Sequence, residues 1–123
     1  MKKIIWHAEI SAIGEQAALF LEEKRLVLFS DRAPKDIIDY CVVHREGELI
    51  EPLATNQYLE IFDTTYPITA VGAVASHNLA ELGHITLLFD GGTEPELPGT
   101  VHLLGEPPCQ LRVQGNITVF AKH

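Results

Sequence analysis

The chain has 123 residues, of which 46% are hydrophobic and 21% are charged, and its formal net charge is −8 at pH 7. This length suits a single domain, residues 1–123, whose hydrophobic core needs no disulfide or metal to form. The acidic balance argues against binding to nucleic acid or to an anionic membrane surface, since both require clustered lysine and arginine.

The N-terminus and the cysteines bear on the compartment. The first residues, MKKIIW, begin like a secretory signal, but His7 and Glu9 break the apolar run. No segment approaches the roughly 18 consecutive apolar residues of a membrane span. Cys41 and Cys109 do not form a CxxC pair, so neither a zinc site nor a redox motif is indicated. We expect a cytoplasmic protein with reduced thiols and no segment inserted in the membrane.

The first 45 residues contain three strand patterns and two short helical segments. Alternation over residues 3–13 places Ile4, Trp6 and Ile10 on one face, which is typical of a half-buried strand. The composition of EQAALFLEEK favours a short helix, and the proline of DRAPKDIIDY suits the first turn of another. The other two strand patterns are RLVLFS and YCVVHR.

The second half continues with short strands. YLEIF and YPITAVGAVA predict a hairpin, and HITLLFDGG and PGTVHLLG predict two further strands. Between them, SHNLAELG predicts a helix with Ser76 as N-cap and Gly83 as its C-terminal stop. QLRVQGNITVF predicts a terminal strand pair around Gly115. About eight strands with two or three short helices, and no βαβ order, predict a mainly β, single-domain, largely antiparallel β-barrel.

Histidines are the main candidates for chemistry, since the sequence has no P-loop, GxGxxG, HExxH or GxSxG motif. His44 and His84 each lie where an apolar strand meets a turn or the end of a helix. His84 follows Gly83, at the negative end of the predicted helix, so we expect its charged form to be favoured. From the residues alone two readings stay open: structural histidines, or a metal or ligand site that a barrel assembles from His44, His84 and His102.

One long block adds a resemblance. YPITAVGAVASHNLAELGHITLLFDGGTEPELPGTVHL, from Tyr66 to Leu103, resembles the glucitol/sorbitol-specific enzyme IIA component of the bacterial phosphoenolpyruvate-dependent sugar phosphotransferase system. The shared pieces are TAVG, NLxELGHxTLxFDG and PGTVH, and the upstream pattern AP…YCxxHxxGEL, from Ala33 to Leu49, also matches. The resemblance covers roughly two-thirds of the chain and is far more specific than a short motif.

The resemblance implies a phosphocarrier. Such proteins accept a phosphoryl group from the phosphocarrier protein HPr on the histidine of CxxH, here His44, and pass it to a cysteine of the IIB component. The membrane IIC component then imports and phosphorylates the sugar alcohol. No cofactor or metal is implied, because the donor phosphoryl group is already activated on nitrogen. The resemblance favours Nε2 as the acceptor nitrogen and a barrel fold.

Further residues are candidates for this site. His84, as an imidazolium, is the candidate catalytic partner of His44, and Ser76 at a helix N-terminus is a candidate phosphate contact, with Thr69 and Thr86 as weaker ones. We expect an acidic and apolar docking patch around His44, which suits the basic face of HPr. Neither cysteine should carry phosphate, and Cys41 should be a buried thiol.

The sequence is also compatible with two other functions. The histidine barrel that binds a metal or small ligand is one, and a phosphorylation-dependent regulator of another protein is the other. The imported polyol is not encoded in this chain, because a IIA component does not contact sugar. A homodimer is left open, since barrels with exposed strand edges often pair.

Overall fold

The computed structural model describes residues 2–45, 47–113 and 115–122. Gln114, within the predicted terminal strand pair, and His123 lie outside the described residues. The described residues form eight strands, two α-helices and one 3₁₀ helix. The strands are β1 (Lys2–Ile13), β2 (Arg25–Ser30), β3 (Cys41–Arg45), β4 (Gln57–Ile61), β5 (Thr64–Val71), β6 (Ile85–Leu88), β7 (Thr100–Leu103) and β8 (Asn116–Lys122). The helices are the 3₁₀ helix (Ala17–Glu23), α1 (Lys35–Ile38) and α2 (Ala75–Leu82).

The strands close into a barrel in the order β1-β3-β2-β6-β7-β5-β4-β8, with β8 returning to β1. Of the neighbouring pairs, β2 with β3 and β6 with β7 are parallel, and the other six are antiparallel. The predicted mainly β, largely antiparallel barrel is therefore confirmed. Because the barrel is closed, each described strand is paired on both sides. The described strands therefore leave no free edge at which a second copy of the chain could add a strand.

The parallel pair β2–β3 positions the candidate site. Because these strands run in the same direction, their C-terminal ends lie side by side, and Ser30 is the register partner of His44. On its other side β3 pairs with β1, where Ile10 is the partner of His44. The end of β3 is thus held between two neighbouring strands, which fixes the position of its backbone.

The barrel interior is filled by apolar side chains from all eight strands. Trp6 and Ile10 point into it, as the alternation of β1 predicts. The prediction for Ile4 is wrong, since its side chain is 48% exposed. The register between β1 and β8 shifts between Ile4 and Trp6, and this bulge moves Ile4 to the outer face while Ile5 becomes buried.

Local predictions have mixed outcomes. Gly83 ends α2 in the left-handed conformation with φ of 68°, as predicted. Ser76 is not the N-cap, because the helix begins at Ala75 and Val74 takes the cap position without a side-chain hydrogen bond. The predicted strand before Gly115 is also wrong for its described part, since residues 111–113 are irregular and only β8 follows. Within the described part of the chain, no helix is long and apolar enough to cross a membrane.

Candidate functional site

His44 lies inside one end of the barrel. Its neighbour two residues back on β3, Val42, belongs to the central core, and side chains two apart share a face of a strand. The His44 side chain is fully buried, with an exposed fraction of 0%. A histidine in such a place requires polar partners, because burying an unpaired polar group is unfavourable.

Two backbone carbonyls supply those partners. Nε2 of His44 lies 2.8 Å from the carbonyl oxygen of Gly83, and Nδ1 lies 3.2 Å from the carbonyl oxygen of Arg45. A neutral imidazole carries one N–H, so it donates to one of these carbonyls at a time. The shorter contact favours the tautomer with an N–H on Nε2. The ring is therefore oriented at both nitrogens, and either nitrogen must lose its carbonyl before it can act as a nucleophile.

Gly83 is packed directly on the histidine. A Cβ added at Gly83 would lie 2.7 Å from Cε1 of His44, 3.0 Å from its Nε2 and 2.9 Å from Cβ of Ser30. Real side chains do not approach so closely, so only glycine fits here without displacing a neighbour. The C-terminal end of α2, which carries the negative end of the helix dipole, thus faces the His44 ring.

An indole ring covers another side of His44. The rings of Trp6 and His44 meet edge to face, with centroids 5.1 Å apart and planes at 86°. Trp6 is itself buried. Among the residues that the structure describes, its Nε1 has no hydrogen-bond partner. The acceptor candidate is thus enclosed by an aromatic ring and a helix end.

His84 lies next to this site in sequence, but its ring faces elsewhere. It stacks on Phe29, with centroids 4.4 Å apart and planes at 15°. Phe29 belongs with Cys41 and Val43 to a second apolar cluster, formed by the β3 face opposite to His44. Burial lowers the pKa of His84 below its ordinary value. The expectation that the helix end favours the charged form is therefore wrong, since desolvation opposes it.

The His84 ring also lines an open groove between the 3₁₀ helix and α1. This groove has a volume of about 280 Å³ and is mainly apolar; its walls are formed by Phe20, Val27, Ile37, Tyr40, Cys41 and His84. Gly83 links the groove to His44, because its carbonyl oxygen contacts His44 and the next ring lines the groove.

The three hydroxyl candidates lie in different places. Ser76 is in the first turn of α2, seven residues from Gly83 and so about 10 Å along the helix, and its Oγ accepts a hydrogen bond from the Leu53 N–H. Thr69 donates to the carbonyl oxygen of Gly92 at 2.6 Å, beside the loop that follows β6. Thr86 is the register partner of Val27, three residues before the end of β2. Hydrogen bonds among the described residues do not join any of the three to His44.

His102 has a structural environment of its own. Its Nε2 accepts a hydrogen bond from the Glu96 N–H at 3.0 Å, so its proton is on Nδ1, which donates to Asp90 at 2.8 Å. Desolvation is the largest single effect on the Asp90 carboxyl and would raise its pKa. The hydrogen bonds from the His102 ring and the Gly92 N–H, with smaller contributions, together outweigh desolvation and lower the pKa of Asp90 below its ordinary value. His102 thus fastens the loop between β6 and β7. The rings of His44, His84 and His102 do not converge, and the described residues hold no group of three or more histidine, cysteine or acidic side chains placed to bind a metal.

Sequence reasoning missed three residues around His44. Ser30 is buried beside Gly83, and Trp6 covers the imidazole. Arg32 donates to the carbonyl oxygen of Glu81 at 2.9 Å and so places a cation at the C-terminal turn of α2. Trp6 had one detectable signal, a polar N–H on a strand face predicted to be buried. Ser30 and Arg32 had none, because their proximity depends on the parallel pairing of β2 with β3.

The prediction for Cys41 is confirmed. Its thiol is buried against the outer cluster, and burial raises its pKa to about 11. Cys109 is exposed, and both cysteines are free. Cys41 lies on the face of β3 opposite to His44, so it cannot share the chemistry of that ring.

Known proteins resemble this chain over nearly its whole length. Residues 5–118 match the family model of the PTS system glucitol/sorbitol-specific IIA component. The PTS system glucitol/sorbitol-specific EIIA components of Shigella flexneri and of Escherichia coli K12 are each 44% identical to it over 117 residues, covering 95% of this chain and 94% of theirs. The crystal structure of a PTS system IIA component from Enterococcus faecalis V583 superposes with a TM-score of 0.77 at 27% identity, covering 90% of this chain and 96% of that one. The barrel, the motifs around His44 and these matches agree, and the chain belongs to the family of glucitol/sorbitol-specific IIA components of the phosphotransferase system.

Proposed function

We propose that this chain carries a phosphoryl group on His44, between HPr and the IIB component of a transporter for glucitol/sorbitol. The observation that carries the proposal is the buried imidazole of His44 at the end of a rigid strand, in the family's CxxH motif, with a carbonyl at each ring nitrogen. Phosphoryl transfer through a loose transition state depends mainly on position and on charge stabilisation. A strand end held between two neighbours supplies the position.

The ring contacts suggest a specific order of events. Before transfer, Nε2 gives up its proton and Nδ1 takes one up, so that Nδ1–H donates to the carbonyl oxygen of Arg45 and the Nε2 lone pair becomes the nucleophile. The Arg45 carbonyl then orients the ring. In the described conformation Nε2 faces Gly83 instead. An anionic phosphoryl group on Nε2 would meet that carbonyl and the negative end of α2, which repel it. Transfer therefore requires the Gly83–His84 segment to withdraw from His44.

The groove beside His84 suits the docking of the partner. It is apolar, it is open to solvent, and it is connected to His44 through Gly83. The chain's net charge of −8 favours rapid association with a basic protein face, as the expected HPr surface requires. His84, neutral rather than charged, then lines the docking groove and is joined to the Gly83 carbonyl through the backbone.

The remaining parts of the relay lie on other components. The phosphoryl group passes from His44 to a cysteine of IIB, and IIC phosphorylates the polyol during import, so the sugar never contacts this chain. Its two free cysteines, one of them exposed, fit a reducing cytoplasm.

Intact mass spectrometry tests the relay. The protein is incubated with phosphoenolpyruvate, enzyme I and HPr, and the same is done with His44→Gln and with His102→Gln as a matched buried-histidine control. We expect one acid-labile phosphoryl group on the wild type and on His102→Gln, and none on His44→Gln. A phosphoryl group on folded His44→Gln would show that another residue is the acceptor. An unphosphorylated wild type with active HPr would refute the proposed function.

A further inference from the structure

The indole N–H of Trp6 is a buried donor in the barrel interior that has no partner among the described residues. Trp6 is 1% exposed, and its Nε1 has no hydrogen-bond partner among the described residues. Buried indole N–H groups normally have a partner, because leaving one unpaired is unfavourable. It is also the one buried side-chain nitrogen or oxygen in the described part of the chain that lacks a partner.

Its position is next to the acceptor candidate. The Trp6 ring contacts the His44 ring edge to face at 5.1 Å. Nε1 also borders the segment that follows His44, since a Cβ added at Gly47 would lie 3.1 Å from it. The indole that carries this N–H therefore contacts the imidazole, and its Nε1 lies close to Gly47, three residues beyond His44.

Among the described residues, the unphosphorylated site does not supply this donor with a hydrogen-bond acceptor. Both His44 nitrogens face carbonyl oxygens, which are acceptors and would repel a phosphoryl group. A phosphoryl group on His44 brings about two negative charges and three strong acceptor oxygens to a ring that the Trp6 indole contacts. An indole can donate and cannot accept, so it suits a phosphoryl oxygen and has no competing role as an acceptor.

We propose that Trp6 positions His44 and that its indole N–H donates a hydrogen bond to a phosphoryl oxygen once His44 is phosphorylated. This inference rests on the proposed function of His44. In the transfer, the P–N bond of the donor phosphohistidine breaks and its electron pair stays on the donor nitrogen. The lone pair of the His44 nitrogen forms the new P–N bond. Trp6 keeps its proton throughout and gains an acceptor.

Trp6→Phe tests the donor, because it keeps an aromatic ring and removes the N–H. Tyr66→Phe is the matched control: Tyr66 is equally buried, but its hydroxyl donates to the carbonyl oxygen of Glu106 and its ring packs on Phe89, away from His44. Losing one hydrogen bond to a charged group in the transition state slows a reaction by about tenfold or more. We expect Trp6→Phe to slow phosphorylation of His44 by HPr about tenfold and to shorten the lifetime of the phosphohistidine, with a moderate loss of thermal stability because the smaller ring leaves a cavity. Tyr66→Phe should lose stability and keep normal transfer.

A second measurement needs no variant. Trp6 is the single tryptophan of the chain, so a ¹⁵N-labelled sample gives one indole cross-peak. After phosphorylation and removal of the donor proteins, we expect its proton resonance to move downfield and its solvent exchange to slow. An unchanged indole resonance in phosphorylated wild type, or a normally phosphorylated Trp6→Phe, would overturn the inference while leaving the role of His44 intact. A wild type that takes no phosphate would instead refute the proposed function.

Discussion

Gly83→Ala is the substitution that most directly probes how His44 is enclosed. The left-handed backbone at Gly83, with φ of 68°, costs an alanine about 1 kcal/mol. The new methyl group would also lie 2.7 Å from Cε1 of His44 and 2.9 Å from Cβ of Ser30. Neither neighbour is a flexible side-chain end, so relieving the overlap should cost a further 1–3 kcal/mol, roughly as for overpacked cores. We expect a total loss of about 2–4 kcal/mol in the free energy of unfolding.

Gly91→Ala separates the two contributions. Its φ of 65° is nearly the same, but its close neighbour is Cδ1 of Leu104, the end of a side chain that is 57% exposed. This control should lose about 1 kcal/mol and transfer phosphate normally. Urea unfolding gives both stabilities, and single-turnover transfer from phosphorylated HPr gives the rates. Displacing the His44 ring by about 1 Å should slow transfer by up to about 100-fold in Gly83→Ala. A Gly83→Ala protein as stable and as active as Gly91→Ala would refute the packing argument.

Three other predictions follow from the titratable groups. The folded state lowers the pKa of Asp90, so the ionised carboxylate stabilises the fold above its unfolded pKa of about 3.9. This stabilisation is lost as the pH falls through the folded-state pKa. In Asp90→Asn the free energy of unfolding should therefore decrease less steeply with falling pH in the acid range. The lowered pKa of His84 means that the unfolded chain binds more protons, so stability should fall as the pH drops below about 6.5. His84→Phe should reduce that slope, and a histidine titration at or above the ordinary value by NMR would contradict it. Cys41 is buried with a pKa of about 11, whereas Cys109 is exposed. A thiol reagent at pH 8 should therefore label one cysteine in the native protein and two in denaturant. Rapid labelling of both cysteines in the native protein would contradict the burial of Cys41.

Much of the barrel could be predicted from the sequence because short strands carry a local signal. The alternation of β1 correctly placed Trp6 and Ile10 inside, and Gly83 correctly ended α2. The same alternation failed at Ile4, because a bulge against β8 shifts the pattern by one residue. A bulge depends on pairing with a strand more than 100 residues away, which a local pattern does not contain.

The site was less predictable, because its geometry comes from tertiary contacts. Ser76 has the chemistry of an N-cap, yet its hydroxyl binds the Leu53 N–H instead. His84 follows a helix end that favours charge, yet stacking on Phe29 buries the ring and lowers its pKa. The contact of Trp6 with His44 follows only from the pairing of β1 with β3. Local chemistry made both His44 and His84 candidates, and the family resemblance singled out His44. The groups that enclose His44 could be identified only from the closed barrel.

The central claim is that His44 is the phosphorylated residue and Nε2 its reactive atom. Long-range ¹H–¹⁵N NMR of the phosphorylated, ¹⁵N-labelled protein tests both at once, because a P–N bond shifts the bonded ring nitrogen and couples it to ³¹P. We expect one histidine to change, His44, with phosphorus coupled to Nε2 and a proton on Nδ1 facing the Arg45 carbonyl. Phosphorus coupled to Nδ1 of His44 would contradict the order of events in which Gly83 withdraws. Phosphorus on any other histidine would contradict the account as a whole.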